Sequence, residues 1–181
     1  MKMEERIDRF SPLGLATGRT QLRSQPLAED CWYQVVLVWT RDKSGRLLLT
    51  RRSGEKQFFP NCWEVTQGMA LAGEGPYDAA HRELREETGL EAPDPCWRRL
   101  GRLWQQSDIE GRHYQSMVDV YLVTLTEEQP PVCCQPEEVS ESRWMTAEEY
   151  LAIPEEEHDG FSPACFRRFC DNITEPITKK R

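Results

Sequence analysis

Apolar and polar positions change rhythm along this chain, and the changes mark out its elements. From Trp32 to Thr40 the run WYQVVLVWT is almost unbroken in Val and aromatics, which predicts a buried strand. The polar turn Asp42-Lys43-Ser44-Gly45 leads into a second strand, Arg46 to Arg52. Phe58 to Thr66 is a further apolar stretch, broken at Pro60-Asn61. The period then shifts from two toward 3.6. Pro76 suits a first helical turn, Ala79, Ala80 and Leu84 share an apolar side, and Gly89 stands where a C-terminal cap belongs. Two long strand-like runs follow, Trp97 to Ser107 and Tyr114 to Thr126, joined around Glu110-Gly111. A polar, Pro-rich connection from Glu127 to Val139 precedes a short strand, Glu141 to Met145, and helices at Ala147 to Leu151 and Pro163 to Asn172. The first thirty residues read as irregular apart from a short strand near Arg19 to Leu22. Trp32, Trp39, Trp63, Trp104 and Trp144 fall in or beside strand-like stretches and are expected in the core or a pocket wall.

This order predicts an α/β class protein, a mixed β-sheet with a helix on each side. A chain of 181 residues suffices for one sizeable core. The expected division is a domain over residues 31–172, an N-terminal extension over 1–30 of β-hairpin type packed on it, and a tail over 173–181. The longest apolar stretch, Val35 to Trp39, is too short to span a bilayer. MKMEERIDRF lacks the apolar segment of a secretory signal, so a cytoplasmic location and no membrane partner are expected. Seven cysteines without a CxxC pair argue for reduced thiols rather than a zinc site or disulfide framework. The net charge of −8 argues against a nucleic acid polymer as partner. A small phosphorylated substrate stays compatible, because metal ions can lie between an acidic site and a polyanion. The basic tail Lys179-Lys180-Arg181 reads as a solvated end. Oligomeric state is not legible; the N-terminal segment is the place a dimer would use.

The densest chemistry lies at residues 68–90, GMALAGEGPYDAAHRELREETGL. Glu83, Glu86 and Glu87 are three and four apart and share one helix face. Such like charges need solvent, a proton or a cation. Plain solvation is the common case, but a hard divalent cation with oxygen ligands also brings reactivity. Arg82 lies four residues before Glu86, a spacing that allows a pair along the helix. A Gly-containing loop from Gly68 to Gly75 would let backbone approach a ligand closely.

The whole stretch resembles the Nudix hydrolase signature at every specified position: Gly68, Glu74, Arg82, Glu83, Leu84, Glu86, Glu87, Gly89 and Leu90. The resemblance covers roughly residues 30 to 172 and implies the Nudix fold, an α/β/α sandwich. It implies a diphosphatase acting on a nucleoside diphosphate derivative with Mg²⁺ or Mn²⁺. In that reading Glu83, Glu86 and Glu87 hold the metal with the Gly68 carbonyl, and Glu83, Glu87 and Arg82 form the catalytic group. Arg82 also pairs with a signature carboxylate such as Glu74, keeping the ligands oriented. The proton acceptor is either Glu83 or a loop acid among Glu137, Glu138 and Glu141. Arg51 and Arg52, near Lys56, are candidate phosphate contacts, and Glu138 a candidate substrate contact. The run Asp159 to Pro163 is a candidate pocket rim. Markers that would name the substrate are mostly missing, and Gln67 stands where many members have Gly.

The N-terminal TGRT run, LLLTRRS and FPNCWEV also look like the branch related to isopentenyl diphosphate isomerase. Isomerases need a catalytic Cys just before the helix. Here that loop reads VTQGMALAGE, and Cys62 comes several residues too early. A non-catalytic nucleotide-binding Nudix domain is the other alternative, although such domains usually lose box glutamates and this chain keeps all of them.

Overall fold

The computed structural model describes residues 4–56, 58–109 and 111–177. Its axis is strand β3 (Tyr33–Arg41). On one side β3 runs parallel to β8 (Arg112–Thr124), in register from Tyr33↔Ser116 to Arg41↔Thr124. On the other it pairs antiparallel with β6 (Thr66–Met69), setting Val36 opposite Gly68. The long β7 (Trp97–Ile109) flanks β8. Strands β4 (Leu47–Arg52), β5 (Trp63–Glu64) and β9 (Val139–Met145) complete a mixed seven-stranded sheet. Strands β1 (Arg6–Phe10) and β2 (Ala16–Leu22) form a separate antiparallel hairpin.

The near-continuous apolar run of β3 reflects burial on both faces. Leu37 and Trp39 pack with Phe166, Phe169 and Ile173 of α3 (Ser162–Thr174) and Tyr150 of α2 (Ala147–Leu151). Val36 and Val38 pack with Ala79, Ala80 and Leu84 of α1 (Pro76–Thr88) on the opposite face. The result is an α/β/α sandwich. Helix α1 starts from an extended Gly75 with Pro76 in its first turn, and stops at Gly89, whose φ of +69° lets its N–H reach Arg85 O. Both ends of the helix that carries the carboxylates are therefore set locally. Truncating Leu84, which is fully buried between α1 and the sheet, would cost about 2–5 kcal/mol.

Several elements differ from the sequence expectation. The stretch 6–10, expected as irregular, is a strand whose only buried side chain is Ile7, too short and charge-rich to show a period. β2 starts at Ala16 rather than Arg19, and β9 at Val139 rather than Glu141. Gly68 does not open a loop: it lies inside β6, so the loop begins after Met69. Trp104 is 48% exposed, because β7 is an edge strand and only one of its faces meets the body of the domain; Trp32 packs against it edge-on at 4.9 Å. Trp144 is half-buried, whereas Trp32, Trp39 and Trp63 are buried. The basic tail at 179–181 and the residue Glu110 of the β7–β8 turn lie outside the described residues.

Candidate active site

The three helix carboxylates separate by depth. Glu83 and Glu87, one turn apart, face the sheet and are buried, while Glu86 stays at the exposed rim. Glu83 lies directly over Gly68: a Cβ there would come within 2.6 Å of Glu83 Oε2 and closer still to the rest of the carboxyl. Any larger residue would have to push this carboxyl aside, so glycine is what lets Glu83 lie here. Arg82 gathers the signature residues. Its Nε and Nη2 donate to the two oxygens of Glu74, both at 2.9 Å, and Nη1 donates to Glu83 Oε1 at 2.8 Å and Glu86 Oε2 at 3.1 Å. Nη2 also reaches Met69 O at 3.1 Å, tying the helix to β6. Glu74 further accepts the Leu71 N–H at 2.9 Å. Burial opposes the Glu74 charge, but these donors outweigh it and hold its carboxyl below the ordinary range.

Glu83 and Glu87 are pushed the other way. Burial raises Glu83 despite its Arg82 partner. Glu87 is raised well above the ordinary carboxylate value, first by burial and then by the charges of Glu64, Glu83 and Glu138, with Arg52 opposing. Its Oε2 is buried and has no hydrogen-bond partner among the described residues. A buried carboxylate oxygen without a donor is costly unless a proton or cation meets it.

Beside this helix stands a buried polar chain. Arg52 donates through Nη1 to Glu64 at 2.8 and 3.0 Å, and Glu64 is only 2% exposed. Gln67 Nε2 donates to Glu64 Oε2 at 2.5 Å and to Asp159 Oδ2 at 2.8 Å, and Asp159 Oδ1 accepts the Ser162 N–H at 2.9 Å. Burial lifts Glu64 to about 7, with the Asp159 charge adding and Arg52 opposing. Asp159 is raised as well, again chiefly by burial. Gln67, the departure from Gly noted in the sequence, is therefore the amide that lets two buried acids share a short space.

Gly68, Gln67 and Arg52 open onto a cavity of about 560 Å³. Its walls include Leu27, Val35, Phe58, Phe59, Met69, Tyr114 and Phe161, with Arg23, Ser24 and Gln25 on the N-terminal side. Phe58 and Tyr114 meet edge-on at 5.9 Å, as do Phe59 and Phe161 at 6.0 Å. Phe59 holds φ +51°, an uncommon conformation for a bulky side chain, and aims its ring at the 159–162 loop. Arg51 alternates to the other side of β4, donating to Asn61 O at 2.8 Å and lying over Trp63. Glu138 is ion-paired with Lys56, and Glu141 with Arg143 at 2.6 Å. Cys62 lies beside Glu156 O at 3.8 Å and is not among the residues lining the cavity. Glu64 and Arg23 were not singled out by sequence reasoning, and Asp159 only as part of a candidate pocket rim. The only sequence signals near them were the Gln67 departure and the DGFSP run.

The NUDIX domain family model matches residues 33–167, which spans the sheet, α1, α2 and the first turns of α3. The chain belongs to the Nudix family. An uncharacterized Nudix hydrolase of Listeria monocytogenes is 30% identical over 145 residues, covering 76% of this chain and 77% of the relative. The crystal structure of DR0079 from Deinococcus radiodurans superposes with a TM-score of 0.73 at 28% identity, over 91% of this chain and 98% of that one. An isopentenyl-diphosphate delta-isomerase of Phaffia rhodozyma is 28% identical, over 89% of this chain and 71% of its own. This Nudix protein is a hydrolase acting on pyrophosphate bonds. Nudix hydrolases use divalent metal ions, and the donors here suit one in kind. Glu83 and Glu87 are hard oxygen ligands, and Glu87 Oε2 can take a cation in place of a proton. Among the described residues no three His, Cys, Asp or Glu side chains already stand in ligating geometry, with Glu83 turned onto Arg82.

Proposed function

We propose that this Nudix protein cleaves the diphosphate linkage of a nucleoside diphosphate derivative or a similar phosphorylated metabolite, with Mg²⁺ or Mn²⁺. The observation that carries the metal assignment is the buried, donor-less Glu87 Oε2 one helical turn from Glu83. Glu83, Glu86, Glu87 and the Gly68 carbonyl would hold the cation. Bound there, it would neutralise phosphate oxygens and favour attack by water. The chain's own residues do the rest. Arg82 orients Glu83 and Glu86 while Glu74 fixes Arg82 from behind. Glu83 serves as proton acceptor, with Glu138 second because its charge reaches Glu87. Arg52 steadies Glu64 at the cavity wall and Arg51 is turned away, so of these two candidate phosphate contacts only Arg52 borders the cavity. The cavity supplies apolar and aromatic walls for the part of the substrate beyond its phosphates.

We take residues 31–172 as the catalytic unit, 1–30 as an extension, and 173–181 as a tail. A small molecule is the expected partner, with no nucleic acid polymer and no membrane, in the cytoplasm. No helix among the described residues is long and apolar enough to cross a membrane. The isomerase alternative is disfavoured because Cys62 does not face the cavity. The test is a panel of nucleoside diphosphate derivatives plus isopentenyl diphosphate, assayed with Mg²⁺, Mn²⁺ or chelator. Metal-dependent release of monophosphate products supports the reading. Isomerisation of isopentenyl diphosphate without phosphate release, or nucleotide binding with no turnover, refutes it.

A further inference from the structure

Two guanidiniums line the cavity, Arg23 and Arg52, and their situations are opposite. Arg52 is committed: besides Glu64 it donates through Nε to Phe58 O at 3.0 Å. Releasing it would leave a buried carboxylate without its partner. Among the described residues Arg23's side chain holds only Glu5, Nη1 to Oε2 at 2.7 Å, with the two side chains 42% and 43% exposed. A pair that wet is weak and easily exchanged.

The backbone beneath Arg23 is nonetheless well fixed. Its N–H donates to Glu5 O at 2.9 Å, and the Gln25 N–H to Leu22 O at 3.1 Å. Gln21 Nε2 donates to Pro26 O at 3.3 Å, while the Tyr33 hydroxyl donates to Gln21 Oε1 and accepts the Ala28 N–H, both at 2.7 Å. The segment from 21 to 28 is thereby tied to β3, the strand that sends Val35 into the same cavity.

We infer that Arg23 is the anion ligand of this cavity, exchanging Glu5 for a phosphate oxygen of a diphosphate whose other moiety is flat and largely apolar. The planar guanidinium suits two oxygens of one phosphate, and Phe58, Tyr114 and Leu27 face the space beyond it. The N-terminal extension then supplies part of the substrate site. This inference rests on reading the cavity as the substrate site.

Its test uses the full chain and inorganic pyrophosphate as probe, titrated calorimetrically without metal into wild type, Arg23→Ala, Arg23→Lys and Glu5→Ala. Arg23→Ala should weaken binding at least about tenfold, the range of a lost charge-assisted hydrogen bond. Arg23→Lys should recover part of it. Glu5→Ala, which breaks the same ion pair but keeps the guanidinium, should bind as well as wild type or more tightly; this separates anion binding from loss of local structure. For whichever diphosphate the enzyme turns over, Arg23→Ala should raise KM with kcat little changed. Wild-type affinity in Arg23→Ala, equal losses in Arg23→Ala and Glu5→Ala, or no binding by wild type would each overturn the proposal. Failure of the hydrolase reading would show separately, as absent turnover by a wild type that still distinguishes these variants by pyrophosphate binding.

Discussion

Gly68→Ala is a small change with a large expected consequence. Gly68 lies in β6 without a positive φ, so alanine fits the backbone there. The added Cβ instead collides with the Glu83 carboxyl, 2.6 Å from Oε2 and nearer to its other atoms. The carboxyl is the far end of a flexible side chain, so it is the group that moves, by roughly 1 Å. Moving it breaks the 2.8 Å bond from Arg82 Nη1, worth about 1.5–3 kcal/mol as a charge-assisted hydrogen bond. Arg82 keeps its two bonds to Glu74, and stiffening of the unfolded chain returns about 0.4–1 kcal/mol. Net destabilisation should be about 1–2 kcal/mol, a fall in Tm of about 2–8 °C. Activity should suffer more, because a misplacement of about 1 Å at a reacting centre can cost on the order of a hundredfold in rate. Thermal unfolding and kcat/KM on the same preparation check both numbers. A variant with wild-type turnover would show that Glu83 need not sit over Gly68 for catalysis. A fully unfolded one would show that the carboxyl could not move aside.

Arg52→Ala should destabilise by about 3–5 kcal/mol, because it strands buried Glu64; adding Glu64→Gln should recover much of that in chemical denaturation, and no recovery would count against the pair. Gln67→Leu should lower stability by about 1–3 kcal/mol at pH 8, above the value near 7 at which Glu64 is held, where the Glu64 carboxylate loses its amide donor, and by less at pH 5. Glu64 is held near 7 against an ordinary 4.5, chiefly by burial, so the folded state keeps a proton that the unfolded chain releases. Stability should therefore be greatest below about pH 4.5 as far as Glu64 is concerned. It should fall as pH rises through about 7, by about 3 kcal/mol in all, which pH-dependent denaturation measures. Mg²⁺ should raise Tm more at pH 8 than at pH 5.5, since at low pH it competes with protons on Glu83 and Glu87; equal shifts at both values would contradict the metal site.

The features legible in the sequence are those set by neighbouring residues. Pro76, the Ala79-Ala80-Leu84 side and Gly89 define α1 locally, and the dense apolar run of β3 announces a strand buried on both faces. The signature was legible for the same reason. What escaped were contacts between distant segments. Glu64 meets Arg52 twelve residues back, and Gln67 meets Asp159 ninety-two residues on; no local pattern records either. Arg23 belongs to a stretch without clear period and gains its position through Tyr33 and Gln21. Trp104 looked like core because strand propensity does not report which strand is an edge. The helical spacing of Glu83, Glu86 and Glu87 likewise concealed that only the first and last are buried, since the packing of α1 on β6 decides that.

The central claim is metal-dependent diphosphate hydrolysis through the buried α1 carboxylates, and Glu87→Gln tests it most directly. The amide keeps the size of the side chain and removes the charge, so the fold should persist with equal or greater stability. Turnover of the diphosphate substrate in saturating Mg²⁺ should fall at least about a hundredfold. A folded Glu87→Gln protein that turns over at the wild-type rate would contradict the account.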